Sequence, residues 1–330
     1  MFYYIACDSH NPSFNLALEQ TVFEKLDRQH SYCMLWQNHN AIIVGKHQIT
    51  AAEIDQAFVN AQGISVVRRL SGGGAVYHDL GNINFTFITG TQPGDSIDFA
   101  VFCRPVIAAL RSFGVPAEIS GRNDMTIEGK KFSGNAQYIK ENRIMHHGTL
   151  LYDSNLDTLS RALNSGTKVI SAGIKSVPSR VTNIRPFMKP DMSTEKFMEA
   201  LRDHLFTALG METYTLSAGE TDCAQALCDE VYSQWSWNYG ASPPHNIRKS
   251  RRIESCGMVE VLLDVGKDGS INAVAFHGDF FSGSDPCILA SMLKGHRLEF
   301  GELSVFLQSI DVSRFLYNMD NQSFISLLLD

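Results

Sequence analysis

Long apolar segments are absent from this chain of 330 residues. No run approaches the length of about 18 apolar residues that a helix needs to cross a bilayer, so we expect no membrane-spanning segment and no membrane partner. The N-terminal residues MFYYIACDSH also lack the basic region and apolar stretch of an export signal, and they are typical of a first strand. These absences predict a cytoplasmic protein.

Paired cysteines are absent as well. The seven cysteines are odd in number and form no Cys-x-x-Cys motif. Cys223 and Cys228 are spaced to share one face of a helix, but no cluster of histidines or cysteines surrounds them. We therefore expect reduced and mostly buried thiols and no metal site at this pair.

Positive charge is scarce in the chain. Lys and Arg together number 28 against 35 Asp and Glu, which gives a formal net charge of −7. A protein that binds duplex nucleic acid needs a basic face, so nucleic acid is not expected as the main partner. Any site for a phosphate group must be locally positive within this acidic background.

A glycine-rich segment stands between two apolar runs. RRLSGGGAVYHD, residues 68 to 79, places Arg68, Arg69 and Ser71 beside three consecutive glycines. Without Cβ atoms, backbone N–H groups can approach a ligand closely, and guanidinium and hydroxyl groups bind phosphate oxygens. The segment matches neither the P-loop nor the dinucleotide-binding motif. It predicts a phosphate site of another design, with a tight turn between two strands as the alternative.

The predicted elements mix strands and helices without regular alternation. Apolar spacing predicts helices over residues 14–26, 51–62, 98–113 and 194–209, the third of them apolar on all sides. Short apolar or alternating runs predict strands over 32–36, 41–44, 64–69, 82–88, 117–120, 124–128, 131–138 and 145–152. The alternation of 82–88 predicts a half-buried strand. Many antiparallel strands with a few long helices indicate an α+β fold.

The chain is predicted to divide near the turn-rich segment 240–246. We expect a large domain over residues 1–245 and a small α+β domain over residues 250–330. The clearest element of the small domain is a hairpin of 258–265 and 271–276, joined by the turn at 267–269. Pro243 and Pro244 lie in the linker, where a movement of the second domain would be accommodated.

Four polar segments of the first domain together resemble the successive signatures of the lipoate–protein ligase family. They are RRLSGGGAVYHDLGN at 68–82, GRND at 121–124, KFSGNA at 131–136 and HHGTLL at 146–151. The similarity extends to IIVGKHQ at 42–48, GIKSVPSRVTN at 173–183 and WNYGASP at 237–243, and so covers most of residues 1 to 280. Taken singly, each segment has an ordinary explanation as a turn, a charged hairpin tip or a hydrogen-bonded histidine pair.

The resemblance implies a fold and a reaction. The fold would be a large mixed-sheet catalytic domain of the biotin/lipoyl ligase type followed by a small accessory domain. In the reaction, free lipoate would be activated by Mg-ATP to lipoyl-AMP with release of pyrophosphate. The lipoyl group would then pass to a lysine of a lipoyl acceptor domain, in the E2 subunits of 2-oxoacid dehydrogenases or the glycine-cleavage carrier protein.

The resemblance also implies roles for particular residues. Lys131 is the expected catalytic residue, at the junction of acyl group and phosphate, and strand alternation turns its neighbour Lys130 to the opposite face. Asp124 is the candidate Mg²⁺ ligand, with a turn-capping role as the alternative. The expected ATP-binding residues are Arg69, Ser71, Gly72, Gly73, Gly74, Ala75, Val76, Tyr77, Asp124 and Lys131. The expected lipoate-binding residues are Val76, Tyr77, His78, Lys131 and His147, with Phe85 and Phe132 as further candidates for the acyl slot or for the core.

Other functions remain open at this point. An ATP-independent lipoyl or octanoyl transferase of the same superfamily is the nearest alternative, although no cysteine lies between Cys103 and Cys223 to serve as its nucleophile. A non-enzymatic lipoate- or nucleotide-binding protein is another. A biotin–protein ligase is disfavoured because its arginine–glycine adenylate loop and an N-terminal DNA-binding head are absent. The chain departs from the family pattern at Lys46, where relatives often carry Arg, and roughly the last 50 residues match loosely.

Overall fold

The computed structural model describes residues 1–91, 98–121, 123–163, 181–240, 245–266 and 268–329. Strands of these residues form three sheets. In chain order the strands are β1 Phe2–Ala6, β2 Ser31–Trp36, β3 Ala41–Val44, β4 Ser65–Arg68, β5 Val76–His78, β6 Asn82–Gly90, β7 Ala117–Ser120, β8 Asp124–Ile127, β9 Lys130–Lys140, β10 Arg143–Leu151, β11 Glu212–Thr213, β12 Ile247–Ile253, β13 Gly257–Val265 and β14 Ile271–Gly278.

Helices pack on the faces of the sheets. They are α1 Pro12–Lys25, α2 Thr50–Glu53, α3 Gln56–Ala61, α4 Phe99–Ser112, α5 Leu156–Ala162, α6 Thr194–Leu209, α7 Ala218–Leu227, α8 Trp235–Asn238, α9 Pro286–Leu293, α10 Phe300–Phe306 and α11 Asn321–Leu329. Among the described helices, none combines the length and the apolar character that crossing a bilayer requires. The predicted α+β fold class is confirmed.

The largest sheet has eight strands in the order β11-β1-β2-β6-β10-β9-β8-β7. β1 runs parallel to both of its neighbours, and the other pairs are antiparallel. Its central strand β6 was predicted to be half-buried, and this was wrong: Asn82, Asn84 and Thr86 are buried as completely as the apolar residues between them. The reason is that α4 and α6 cover one face of the sheet while α1 covers the other.

Two of the predicted helices differ in detail. The helix predicted over 51–62 is two short helices, because Ile54 is extended and the Asp55 carboxylate caps α3 by accepting from the Phe58 N–H. The helix predicted to be buried on all sides is α4, and it buries one face only: Val101 is 51 % exposed. The helix predicted over 194–209 coincides with α6, which begins after the N-cap Ser193 and ends before the C-cap Gly210.

A second sheet, in the order β4-β3-β5, carries the glycine-rich segment. β3 pairs in parallel with β4 and antiparallel with β5. Residues 69–75 connect the two outer strands, so the segment crosses one end of this sheet as a loop, which we call the glycine loop. Its place in the fold follows from the predicted strands on either side of it.

The C-terminal residues form a sheet and a core of their own. The antiparallel sheet β12-β13-β14 is covered by α9, α10 and α11 around a separate apolar cluster. The predicted hairpin corresponds to β13 and β14, whereas β12 was not predicted because its sequence IRKSRRI has apolar residues only at its ends. Pro243 and Pro244, on which the expected domain movement depends, lie outside the described residues, as do Lys267 in the hairpin turn, Arg122 in GRND and residues 173–180.

The C-terminal unit packs against the glycine loop. The Gly73 N–H donates to the Phe280 carbonyl at 3.3 Å, and the Gly278 N–H donates to the His47 carbonyl at 2.8 Å. The His47 ring stacks on the Phe280 ring with centroids 4.6 Å apart, and burial together with nearby Lys46 lowers the pKa of His47 to about 3. Lys46 Nζ lies 3.4 Å from the Asp285 carboxylate. The two parts of the chain therefore meet at the loop that was singled out from the sequence.

Candidate active site

A cavity of about 740 Å³ lies between the large sheet, the glycine loop and the C-terminal unit. Residues from helix α1 and strands β2, β3, β5, β8, β9 and β10 line it, together with the β12–β13 turn. Part of the lining is apolar, and the rest carries charged side chains and glycine backbone.

The apolar part of the lining includes Leu16, Trp36, Ile43, Val76 and Ala136. Leu16 and Trp36 were not predicted as site residues. Phe85 and Phe132 were candidates either for the acyl slot or for the core. Both are completely buried in the main core. We call this apolar part of the lining the apolar slot. A surface of this kind suits an aliphatic chain, because it keeps water away from the chain.

Lys131 and Asp124 belong to the charged part of the lining. Lys131 Nζ is 2.7 Å from the Asp124 carboxylate, and both side chains are a little over one third exposed. The two residues come from adjacent strands, β9 and β8, and both line the cavity. Lys130 is exposed and points elsewhere, as strand alternation predicts. An ammonium group held by one carboxylate at a cavity wall can pair with an incoming anion.

Arg69 lines the cavity, and most of its hydrogen bonds are to residues of the glycine loop. Its Nη2 donates to the carbonyls of Gly72 at 2.6 Å and Gly74 at 2.9 Å, its Nη1 donates to the Ile43 carbonyl, and its Nε donates to Ser71 Oγ at 3.0 Å. Burial lowers the pKa of the guanidinium to about 10, which leaves it charged at neutral pH. Arg69 thus fixes the shape of the loop and places positive charge directly behind it.

A chain of buried hydrogen bonds continues from Arg69 into helix α1. Ser71 Oγ lies 2.6 Å from His147 Nε2, and His147 Nδ1 lies 2.9 Å from the Glu19 carboxylate. Glu19 also accepts from the Thr86 hydroxyl at 2.7 Å. With a neutral imidazole, Nδ1–H donates to Glu19 and Nε2 accepts the Ser71 hydroxyl proton. Glu19 was not singled out from the sequence, although an acidic residue among the apolar positions of α1 was a signal available from the pattern.

His78 also lines the cavity. Its Nδ1 lies 3.1 Å from the Asn38 side-chain amide, so Nδ1 accepts and Nε2 carries the proton. Burial, with smaller effects from Arg69 and His147, lowers the pKa of this ring to about 3, so it is neutral at pH 7. Although His78 is only 3 % exposed, Nε2 has no hydrogen-bond partner among the described residues. It is a donor available to a bound molecule.

The structure brings together most of the residues predicted from the sequence. Those lining the cavity are Arg69, Gly73, Gly74, Ala75, Val76, His78, Asp124, Lys131 and His147. Ser71 and Gly72 lie behind this surface, Ser71 in the chain of hydrogen bonds and Gly72 against Phe280. Tyr77 is on the opposite face of β5 from Val76 and His78, packs in a different apolar cluster and donates its hydroxyl to Asn40. The expected contact of Tyr77 with ATP and lipoate therefore has no counterpart in this cavity.

Arg68, which neighbours Arg69 in the sequence, is used structurally. Its guanidinium donates to the carbonyls of Gly45, Lys46 and Gln48 and to the hydroxyl of Thr50. Burial lowers its pKa to about 10. Arg68 ties the loop after β3 to the rest of the second sheet and does not line the cavity.

Thiols play no part in lining the cavity within the described residues. Burial raises the pKa of Cys7 to about 11 and that of Cys103 to about 12. Both thiols are thus protonated at neutral pH and poor nucleophiles. This argues against a transferase that depends on a cysteine.

The chain was compared with known protein families and relatives. Residues 11–206 match the family model of the lipoyl protein ligase A/B catalytic domain, and residues 242–328 match that of the bacterial lipoate protein ligase C-terminus. The lipoate-protein ligase LplJ of Bacillus subtilis is 40 % identical over 97 % of both chains. The chain belongs to the lipoate-protein ligase family. Lipoate–protein ligase 1 of Staphylococcus aureus, another member, is 38 % identical over 96 % of this chain and 97 % of its own length.

Several solved structures share this fold. LipL1 of P. falciparum in complex with lipoate superposes with a TM-score of 0.82, covers 100 % of this chain and 99 % of its own, and is 22 % identical. A lipoate-protein ligase A bound with ATP has a TM-score of 0.62 and 25 % identity over 72 % of this chain and 98 % of its own. The ligase of a bipartite archaeal lipoylation system with an E2 lipoyl domain, from Thermoplasma acidophilum, has a TM-score of 0.63 and 26 % identity over 74 % of this chain and 98 % of its own.

Proposed function

We propose that this chain is an ATP-dependent lipoate–protein ligase that forms lipoyl-AMP and then an amide bond to a lysine of an acceptor domain. The observation that carries the proposal is the composition of the cavity described above. It joins an apolar slot to the Lys131–Asp124 pair and to the glycine loop. Family membership and the ligand-bound relatives support the same conclusion.

In the first step the lipoate carboxylate attacks the α-phosphorus of ATP and pyrophosphate leaves. The carboxylate is already ionised at neutral pH, so no general base is required. The apolar slot that includes Leu16 and Trp36 would hold the acyl chain. Lys131 Nζ would pair first with the carboxylate and then with the negative charge that develops at phosphorus. Arg69 would strengthen binding of the nucleotide phosphates by its positive charge. It would also hold the glycine loop in the shape that meets those phosphates.

Mg²⁺ fits the part of the cavity lining that carries charged side chains. Magnesium is usually held by one or two carboxylates together with phosphate oxygens and water, and the Asp124 carboxylate lines the cavity where these phosphates would lie. No preformed cluster of three or more metal-ligating side chains is found in the described part of the chain. A bound Mg²⁺ would neutralise phosphate charge, with Asp124 as its protein ligand.

In the second step the ε-amine of an acceptor lysine attacks the carbonyl carbon of lipoyl-AMP, and AMP leaves. The acceptors proposed are lipoyl domains of 2-oxoacid dehydrogenase E2 subunits and the glycine-cleavage carrier protein, encountered in the cytoplasm. The catalytic unit would comprise residues 1–245 and the accessory unit residues 250–330. Movement of the second relative to the first would expose the adenylate to its protein nucleophile.

The proposal is tested by measuring pyrophosphate release from Mg-ATP and free lipoate. We expect release by the unmodified chain and a fall in rate of about 100-fold or more in Lys131→Ala, the size typical for loss of one group that stabilises developing charge. Lys130→Ala is the matched control, since it removes the neighbouring exposed ammonium, and it should keep the rate. Equal rates in the two variants would refute the role of Lys131, and no release by the unmodified chain would refute the ligase.

A further inference from the structure

The C-terminal unit supplies part of the cavity wall. The end of β12, the turn that follows it, the start of β13 and the residue after β14 contribute to its lining Arg252, Ile253, Glu254, Ser255, Gly257 and Asp279. None of these residues was singled out from the sequence. The accessory unit therefore faces the same space as Lys131 and the glycine loop.

This wall is fixed in position by backbone hydrogen bonds. Within the turn, the Cys256 N–H donates to the Ile253 carbonyl at 3.2 Å. The Met258 N–H donates to the Asp279 carboxylate at 2.6 Å, and the Asp279 N–H donates to the Met258 carbonyl at 3.2 Å. Arg252 lies opposite Met258 in the β12–β13 pairing. The turn is thus tied to residue 279, which follows directly on the contact of Gly278 with His47.

The cations that line the cavity differ in their availability. Arg69 uses its guanidinium on the Ser71 hydroxyl and on backbone carbonyls, and Lys131 is paired with Asp124. The exposed guanidinium of Arg252 has no hydrogen bond or ion pair to another described residue. Its five N–H donors suit the oxygens of a phosphate group. The acidic side chains that share the cavity are Asp124, Glu254 and Asp279, so a bound polyphosphate needs a free cation to offset them.

We propose that Arg252 of the accessory unit binds the polyphosphate of ATP during adenylation, so that the nucleotide site is completed across the two units. This inference rests on the proposed function and specifies which residue beyond the catalytic unit meets the leaving pyrophosphate. The docked arrangement then serves the first step, because Arg252 reaches the cavity only while the β12–β13 turn lies over it. Transfer from lipoyl-AMP to the acceptor lysine does not use Arg252, since the pyrophosphate has already left.

The test compares Arg252→Ala, Arg252→Lys and Lys249→Ala in the full-length chain. Lys249 is on the same strand and does not line the cavity, so its variant controls for the loss of one positive charge. We expect Arg252→Ala to raise the KM for ATP in pyrophosphate release by about 10-fold or more, the usual effect of losing a hydrogen bond to a charged group. Arg252→Lys should recover part of this loss, and Lys249→Ala should match the unmodified chain.

Two further measurements separate the possible failures. Calorimetry with inorganic pyrophosphate should show weaker binding to Arg252→Ala by a similar factor, and transfer from preformed lipoyl-AMP to an acceptor domain should be unchanged. Unchanged KM and unchanged pyrophosphate affinity in Arg252→Ala, with active unmodified chain, would overturn the role of Arg252 and leave the ligase standing. Failure of the unmodified chain to release pyrophosphate would overturn both.

Discussion

Glu19 is the buried carboxylate on which the polar wall of the cavity depends. It accepts from His147 and Thr86, and through His147 and Ser71 it is connected to the guanidinium that shapes the glycine loop. A buried acceptor that is removed leaves its donors without partners, which costs more than the bond itself was worth. Glu19 therefore positions groups that face the cavity.

Replacing Glu19 separates this role from a general effect of charge. Glu19→Ala should lower the free energy of unfolding by about 1–3 kcal/mol, because His147 Nδ1 and the Thr86 hydroxyl lose their acceptor in a buried site. Glu19→Gln keeps one acceptor oxygen and should lose less. Urea unfolding, together with the rate of pyrophosphate release, measures both consequences.

Glu24→Ala provides the control for this experiment. Glu24 is on the same helix and forms a long, partly exposed ion pair with Lys140 at 3.8 Å, so its loss should change stability by less than about 0.5 kcal/mol. An equal effect of Glu19→Ala and Glu24→Ala on stability would contradict the account of the buried chain.

The glycine loop has two different reasons for its glycines. A Cβ on residue 72 would overlap the Phe280 carbonyl oxygen, whereas a Cβ on residue 74 would meet no atom within 4 Å. Gly73 has a φ of +88°, a conformation that favours glycine. Gly72 is thus required by the contact with the accessory unit, and Gly74 leaves open space at the cavity.

A pair of alanine variants tests this distinction. Gly72→Ala should displace the segment around Phe280 and increase amide hydrogen exchange at residues 278–283, while Gly74→Ala should leave that exchange unchanged. Exchange in α6 should be the same in both variants, because this helix packs in a different apolar cluster from Phe280. Unchanged exchange at residues 278–283 in Gly72→Ala would show that the glycine serves some other purpose.

The strands and helices were largely predictable because their signals are local. The strands flanking the glycine loop and the helix after Ser193 follow from apolar periodicity and capping residues. The division of the predicted helix at Asp55 required recognising a cap, and β12 carried no alternation to recognise. Burial of β6 on both faces depends on helices distant in sequence.

The members of the site that were missed depend on tertiary contacts. Glu19 meets His147 across 128 positions, and Arg252 reaches the cavity through the packing of a separate unit. The apolar periodicity within either segment does not reveal contacts between residues so far apart in the sequence. Tyr77 is the opposite case, a residue that the motif match assigned to the site. The alternation of side chains along β5 turns Tyr77 away from the cavity.

The molecule as a whole combines an N-terminal unit with a C-terminal unit that contributes to the wall of the cavity. Among the described residues, their contacts include one ring stack, one ion pair and two backbone hydrogen bonds around the glycine loop. An interface of this kind can shield lipoyl-AMP from water and still open for a protein nucleophile. The order of the two chemical steps would then follow from the position of the accessory unit.

The most direct test of the ligase is the intact mass of a purified lipoyl acceptor domain after incubation with this chain. With Mg-ATP and free lipoate, the domain should gain the mass of one lipoyl group, AMP and pyrophosphate should accumulate, and a domain whose acceptor lysine is replaced by arginine should stay unmodified. Without ATP no gain should occur. Modification that proceeds equally without ATP, or only from a protein-bound acyl donor, would contradict an adenylating ligase and indicate a transferase.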